Sequence, residues 1–128
     1  MKLLLGIGAL STGLTAILLL APPIAAQGPA TGATAFAQCK ACHTLDKGGR
    51  NGLGPNLNGM FTRAPASAPG YSYSPAFKKA GLRWDDKTLA EFLAAPQKKV
   101  PGTRMPIGVA DPAKRAAVIA YLKVETAK

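Results

Sequence analysis

Residues 39–43 read Cys39-Lys40-Ala41-Cys42-His43, and they hold both cysteines and the single histidine of a 128-residue chain. C-x-x-C-H is the spacing of c-type haem attachment. Two thiols three residues apart stand on one helical turn, where each S–H can add across one vinyl group to give a thioether. The imidazole of the next residue is then held beneath the iron. Bare C-x-x-C has other uses. A thioredoxin-like dithiol needs a βαβ context, and no stretch here alternates apolar and polar residues long enough for a convincing strand. A zinc site needs two further good ligands, which one histidine and no third cysteine do not supply. On spacing alone a short-loop disulfide stays open, and the adjacent histidine favours haem.

The composition around the pentapeptide agrees with a cofactor in the core. Hydrophobic residues make up 48% of the chain, which excludes intrinsic disorder as its class. Yet aromatics are only 6%, and fourteen glycines and eleven prolines thin the apolar supply. Such a length allows one domain with a modest core, so something besides side chains has to help fill it. Two cysteines are too few for a disulfide scaffold.

The first residues are set apart from the fold. Lys2 precedes an uncharged, leucine-rich run from Leu3 to Ala21, closed by Pro22-Pro23 and the small-residue pattern Ile24-Ala25-Ala26. This reads as a secretory signal peptide over residues 1–26, leaving 27–128 as a monohaem domain in an oxidising compartment. The alternative is an uncleaved anchor, since such a run at ~1.5 Å per residue nearly crosses a ~30 Å hydrocarbon core. Gly6, Gly8, Ser11, Thr12, Gly13 and Thr15 dilute its hydrophobicity and favour the leader. Without Lys2 the chain keeps fifteen basic against six acidic residues, a charge of +9.

Short helices joined by long turns follow. Ala33 to Ala41 has helical composition and runs into the pentapeptide. Lys47 to Pro55 is a glycine-rich loop. Ser74-Pro75 is an N-cap with proline at the first helical position, and Gly81 is the stop. Asp85 caps a helix from Asp86 to about Ala95, ended by Pro96, whose Leu89, Phe92 and Leu93 share an inward face. Asp111-Pro112 opens a last helix with Val118, Tyr121 and Leu122 on one stripe.

The sixth iron ligand is reached by elimination. A second histidine is absent, and the methionines beyond the leader are Met60 and Met105. Met60 reads as ordinary core. Met105 lies in Val100-Pro101-Gly102-Thr103-Arg104-Met105-Pro106, a rigid turn that can press a thioether onto the distal face, where soft sulfur suits low-spin iron.

From about Gly32 to Lys123 the chain resembles class I cytochrome c, in its mitochondrial-like bacterial subgroup. Phe36, Lys47-Gly48-Gly49, Gly54-Pro55-Asn56-Leu57, Ala68-Pro69-Gly70-Tyr71-Ser72-Tyr73, Trp84, Pro101 to Met105 and Ile119 to Lys123 carry the resemblance, in order and with family-like spacing. The fold it implies is all-α, a single domain of short helices and loops wrapped around one covalent haem c. It implies attachment through Cys39 and Cys42 and iron ligated by His43 and Met105. The Pro55 carbonyl accepts the His43 N–H, and Arg63, Tyr73 and Trp84 lie around the buried propionates. Gly32, Phe36, Val118 and Tyr121 form a crossing of the terminal helices. Departures are visible too. Phe92 stands where many members place a tyrosine, Phe77 where an interior asparagine is common, and Ile107 where an aromatic is frequent.

A monomeric periplasmic one-electron carrier is the function this implies, and not an enzyme. Electrons pass from a quinol-oxidising cytochrome bc complex to a terminal oxidase, photosynthetic reaction centre or reductase. Lys40, Lys98, Lys99 and Arg104 flank the haem motif and the methionine loop, where cations steer docking onto acidic surfaces of those membrane complexes. Gln38 and Gln97 stand where lysine is frequent, so the ring is thinner. Nucleic acid is not an implied partner, since no basic run is interleaved with aromatics. The rival readings are a dedicated partner of one periplasmic dehydrogenase, a small haem enzyme with Met105 labile, and a ligand-binding sensor. A peroxidase lacks its distal acid–base group here.

Overall fold

A computed structural model describes residues 29–128; the leader read over 1–26 and its cleavage point lie outside them. Helix α1 spans Pro29–Phe36 and tightens into a 3₁₀ turn, Ala37–Ala41, that carries the first cysteine. Helices α2 (Pro75–Lys79), α3 (Asp86–Ala94), α4 (Pro96–Lys99) and α5 (Pro112–Glu125) complete the fold, and no strand occurs among the described residues. Nor is any described helix long and apolar enough to cross a membrane.

Polar caps set most of the helix starts. Ser74 Oγ accepts the Phe77 N–H at 3.1 Å, with Pro75 in the first turn of α2. Asp85 accepts the Thr88 N–H at 2.7 Å to start α3, and Asp111 accepts the Lys114 N–H at 2.7 Å to start α5. Each satisfies one of the donors a helix start leaves unpaired. Gly81 holds φ +60° just past α2, a left-handed stop that glycine adopts without strain. Pro96 differs from expectation. It does end α3, but its fixed φ and missing N–H also suit the first position of a helix, and it opens the single turn α4.

The frame is the contact between α1 and α5. Phe36 and Val118 are both 1% exposed, and the Phe36 and Tyr121 rings pack with centroids 5.6 Å apart. Burying side chains of this size stabilises the fold by roughly 1.5–3 kcal/mol each. The helices come this close because residue 32 is glycine. A Cβ there would lie 2.6 Å from Tyr121 Cβ and 3.1 Å from the Ala117 carbonyl oxygen. Leu89 and Leu93 of α3 join the same buried cluster, while Phe92 packs with Leu82 and Val100 in a second. The chain end is tied down as well, since Gly59 N–H donates to the Thr126 carbonyl at 2.8 Å and Asn58 Nδ2 to that of Lys128 at 3.1 Å. Together these contacts leave the middle of the molecule to a cavity.

Two predictions follow from this frame. Gly32→Ala forces overpacking of a backbone-close crossing and lowers unfolding free energy by about 1–3 kcal/mol in denaturant titration; an unchanged midpoint would refute the role given to Gly32. The second concerns Glu91 of α3, which pairs with Lys87 and, at 2.6 Å, with Lys99 of α4. Hydrogen bonds from Lys87 and then Lys99 hold its carboxyl down to about 2. A depressed carboxylate adds stability above its unfolded pKa and loses it as pH falls through the folded one. The melting-temperature gap between wild type and Glu91→Gln should therefore be small, because the pair is exposed, and should close as pH falls from about 4.5 toward 2. A gap independent of pH would show that the Glu91 charge adds nothing.

Candidate functional site

A cavity of about 390 Å³ lies between the 3₁₀ turn, the glycine-rich loop, α3 and the loop after α4. Cys39, Cys42 and His43 stand in its wall, and so does Met105. Pro55, Arg63, Tyr73 and Trp84 line it too, so all eight residues singled out from the sequence meet in one place. Elsewhere the lining is largely apolar, with Leu89, Leu93, Phe77 and Phe92 facing in from the helices.

At one end of this group the imidazole is fixed. The backbone turns sharply through the pentapeptide, with Cys42 N–H and His43 N–H both donating to the Cys39 carbonyl at 3.1 and 3.0 Å. His43 Nδ1 then lies 2.8 Å from the Pro55 carbonyl oxygen. A carbonyl only accepts, so Nδ1 carries the proton and Nε2 keeps its lone pair for a metal. Burial lowers the His43 pKa, outweighing the Pro55 bond that raises it, and the ring is held neutral. Burial likewise pushes the Cys39 thiol up, against the pull of Lys114. Gly54 makes the arrangement possible. A Cβ at this position would sit 2.4 Å from His43 Cε1, inside the ring's own volume.

The other polar groups sit on the segment before α2 and around it. Tyr73 is buried, and its hydroxyl accepts the Ala68 N–H at 3.2 Å, which leaves its own proton free to donate. Arg63 is clamped by two backbone carbonyls, Nε to Asn58 at 3.2 Å and Nη2 to Asn56 at 3.0 Å. Phe77 stacks on Tyr73 with centroids 5.5 Å apart and meets Trp84 at 6.1 Å. The Phe77 and Phe92 rings, 5.7 Å apart, make this wall aromatic at the two positions read as departures from the family's asparagine and tyrosine.

Met105 is half-buried and packs against both apolar clusters. Its N–H donates to Thr103 Oγ1 at 3.3 Å, and Arg104 Nη1 beside it donates to the Ser72 carbonyl at 2.8 Å. Met60 is 5% exposed and belongs to the core as expected, but it also reaches the cavity wall. Two thioethers therefore line the cavity, both on non-helical segments; Met60 is taken fully into the core and Met105 is half-buried.

This donor set fits a haem: two thiols on one turn, a neutral imidazole with Nε2 free, an apolar wall, and a glycine where a Cβ would strike the ring. The cytochrome c family model matches residues 29–124. The chain belongs to the cytochrome c family. It is 46% identical over 95 residues to cytochrome c2 of Rhodoblastus acidophilus, covering 73% of this chain and 89% of that one. It is 49% identical over 92 residues to cytochrome c2 iso-1 of Magnetospirillum molischianum, covering 70% and 91%. Cytochrome cH from Methylobacterium extorquens shares the fold with a TM-score of 0.68 at 49% identity, over 75% of this chain and 97% of that chain.

The protein is thus an all-α class I cytochrome c, an electron carrier with one haem c attached through Cys39 and Cys42. Bound haem supplies one-electron chemistry at its iron. The residues of this cytochrome orient the imidazole, exclude water with apolar walls and place polar groups at the rim. Three contributors lie in the strings that carry the family resemblance but have no role of their own in that reading: Gly54, beside the imidazole, Thr103, which is buried, and Tyr71, whose hydroxyl donates to the Leu53 carbonyl at 2.9 Å.

Gly54→Ala should be the most damaging single methyl in the site. It displaces the imidazole from Pro55, and the oxidised protein should lose low-spin character or mature poorly. An unperturbed low-spin spectrum at full haem occupancy would contradict the geometry.

Proposed function

We propose that this cytochrome is a periplasmic shuttle whose iron is ligated by His43 and Met105, carrying single electrons between membrane redox complexes. The observation that carries this reading is the shared cavity: an imidazole fixed by Pro55 and a thioether on a pinned loop line the same apolar space. With both axial positions filled by protein, the two oxidation states keep the same ligands and little has to reorganise on transfer. Met60 is a poorer candidate, because its burial among Leu89, Leu93 and Ile119 ties it to the core. Tyr73, Trp84 and Arg63 meet the propionates, with donors or charge where an unpaired carboxylate is costly.

Residues 1–26 serve as the export leader and 27–128 as the working domain. The donor is a quinol-oxidising cytochrome bc complex, and the acceptor is a terminal oxidase, reaction centre or reductase. Lys40, Lys98 and Arg104 are exposed. Leu53 and Ile107, 82% and 51% exposed, line the cavity beside Arg104. A basic, partly apolar rim of this kind suits acidic partners. The arrangement supports a carrier over an enzyme, since the cavity holds one histidine and it is engaged by Pro55.

Two measurements test this. The oxidised protein should show a low-spin spectrum with the weak red methionine–iron band, and after reduction it should be indifferent to carbon monoxide. A high-spin or carbon-monoxide-sensitive spectrum would move the enzyme and sensor readings ahead. Association with an acidic redox partner should slow by about tenfold or more between low and physiological ionic strength, as screening removes the steering field. Rates independent of salt would discard the docking assignment.

A further inference from the structure

The loop that carries Met105 is tied to α4 by a side chain whose family counterpart is expected to be a surface cation. Gln97 is the second residue of that single turn, and the turn is held from several sides. Pro96 is buried, Val100 is 2% exposed with its N–H on the Pro96 carbonyl at 2.8 Å, and Lys99 reaches Glu91 of α3 at 2.6 Å. From this anchored turn Gln97 Nε2 donates to the Thr103 carbonyl at 2.7 Å. Thr103 is buried. Its N–H returns to the Val100 carbonyl at 3.0 Å, and its hydroxyl accepts the Met105 N–H at 3.3 Å. A short chain of hydrogen bonds thus runs from α3 through α4 to the backbone of Met105. On the far side the loop is held by Arg104 on the Ser72 carbonyl at 2.8 Å and by Gly102, at φ +89°, against Ala76.

We propose that Gln97 is a positioning residue that latches the Met105 loop shut, so that this chain spends residue 97 on holding the thioether in place and not on docking. The proposal rests on Met105 being the sixth ligand. Its physical basis is local opening. The loop needs to lift only a few residues to free the sulfur, and such openings are governed by the handful of hydrogen bonds they break. Gln97 is exposed, yet its amide turns to the backbone carbonyl of the buried Thr103, whereas an ammonium at this position is drawn to water.

The test uses the haem-loaded, oxidised protein and two neutral variants. Gln97→Met keeps the length of the side chain without a donor, and Gln97→Ala removes it. The rate at which added imidazole replaces the methionine, taken at saturating imidazole, reports loop opening directly. Both variants should open about three- to tenfold faster, the factor a single net hydrogen bond is worth. A role confined to general packing lowers the melting temperature and leaves the limiting imidazole rate at the wild-type value, and that result would overturn the latch. Absence of the red band from the wild type overturns the ligand assignment instead, and the latch with it.

Discussion

The bond between His43 and the Pro55 carbonyl is the constraint on which the rest of the site turns. It decides which ring nitrogen keeps its lone pair, and it decides where the ring plane points. A freely rotating imidazole would cost the protein both. The bond demands that the glycine-rich loop lie flat against the 3₁₀ turn, which is why Gly52 and Gly54 crowd Cys42 and His43 so closely. Residues that look like loop filler are therefore part of what fixes the imidazole. Orienting partners of this kind commonly tune a ligand's basicity as well as its direction.

Around that fixed point the chain builds walls and leaves the centre open. The α1–α5 pair braces the frame behind the cavity, and Leu89, Phe92 and Leu93 of α3 stand in its wall. Tyr73, Phe77, Trp84 and Phe92 form a contiguous set of rings, each touching the next. This explains how a sequence so short of aromatics makes a folded core. Half of the eight stand on one wall of one cavity, and a planar apolar group completes what they begin.

Much of this was legible in the residues because the chemistry is local. Two thiols and an imidazole within five positions have few other uses, and Ser74, Asp85 and Asp111 mark helix starts through bonds only three residues long. Gly32 is reached only through the family resemblance, since the helix read from composition begins at Ala33. What stayed hidden depended on distance in the chain. Pro96 opening a new turn is a matter of the tertiary path after α3, where propensity alone sees a stop. The second thioether at the wall, Met60, follows from how its loop folds back beneath the core. Gln97 reads as a missing lysine until the Thr103 carbonyl is seen beside it. Gly54 stands in a string that carries the resemblance, but its role shows only where the imidazole packs on its face.

The two thiols in the cavity wall have a consequence in mass action. A protein that binds its cofactor reversibly gains stability in proportion to the logarithm of free ligand, and loses it on dilution. Attachment at Cys39 and Cys42 removes that dependence, because the tethered group meets its cavity at an effective concentration no solution can match. The domain's core is then complete at any protein concentration, and in any surroundings that supply no cofactor at all.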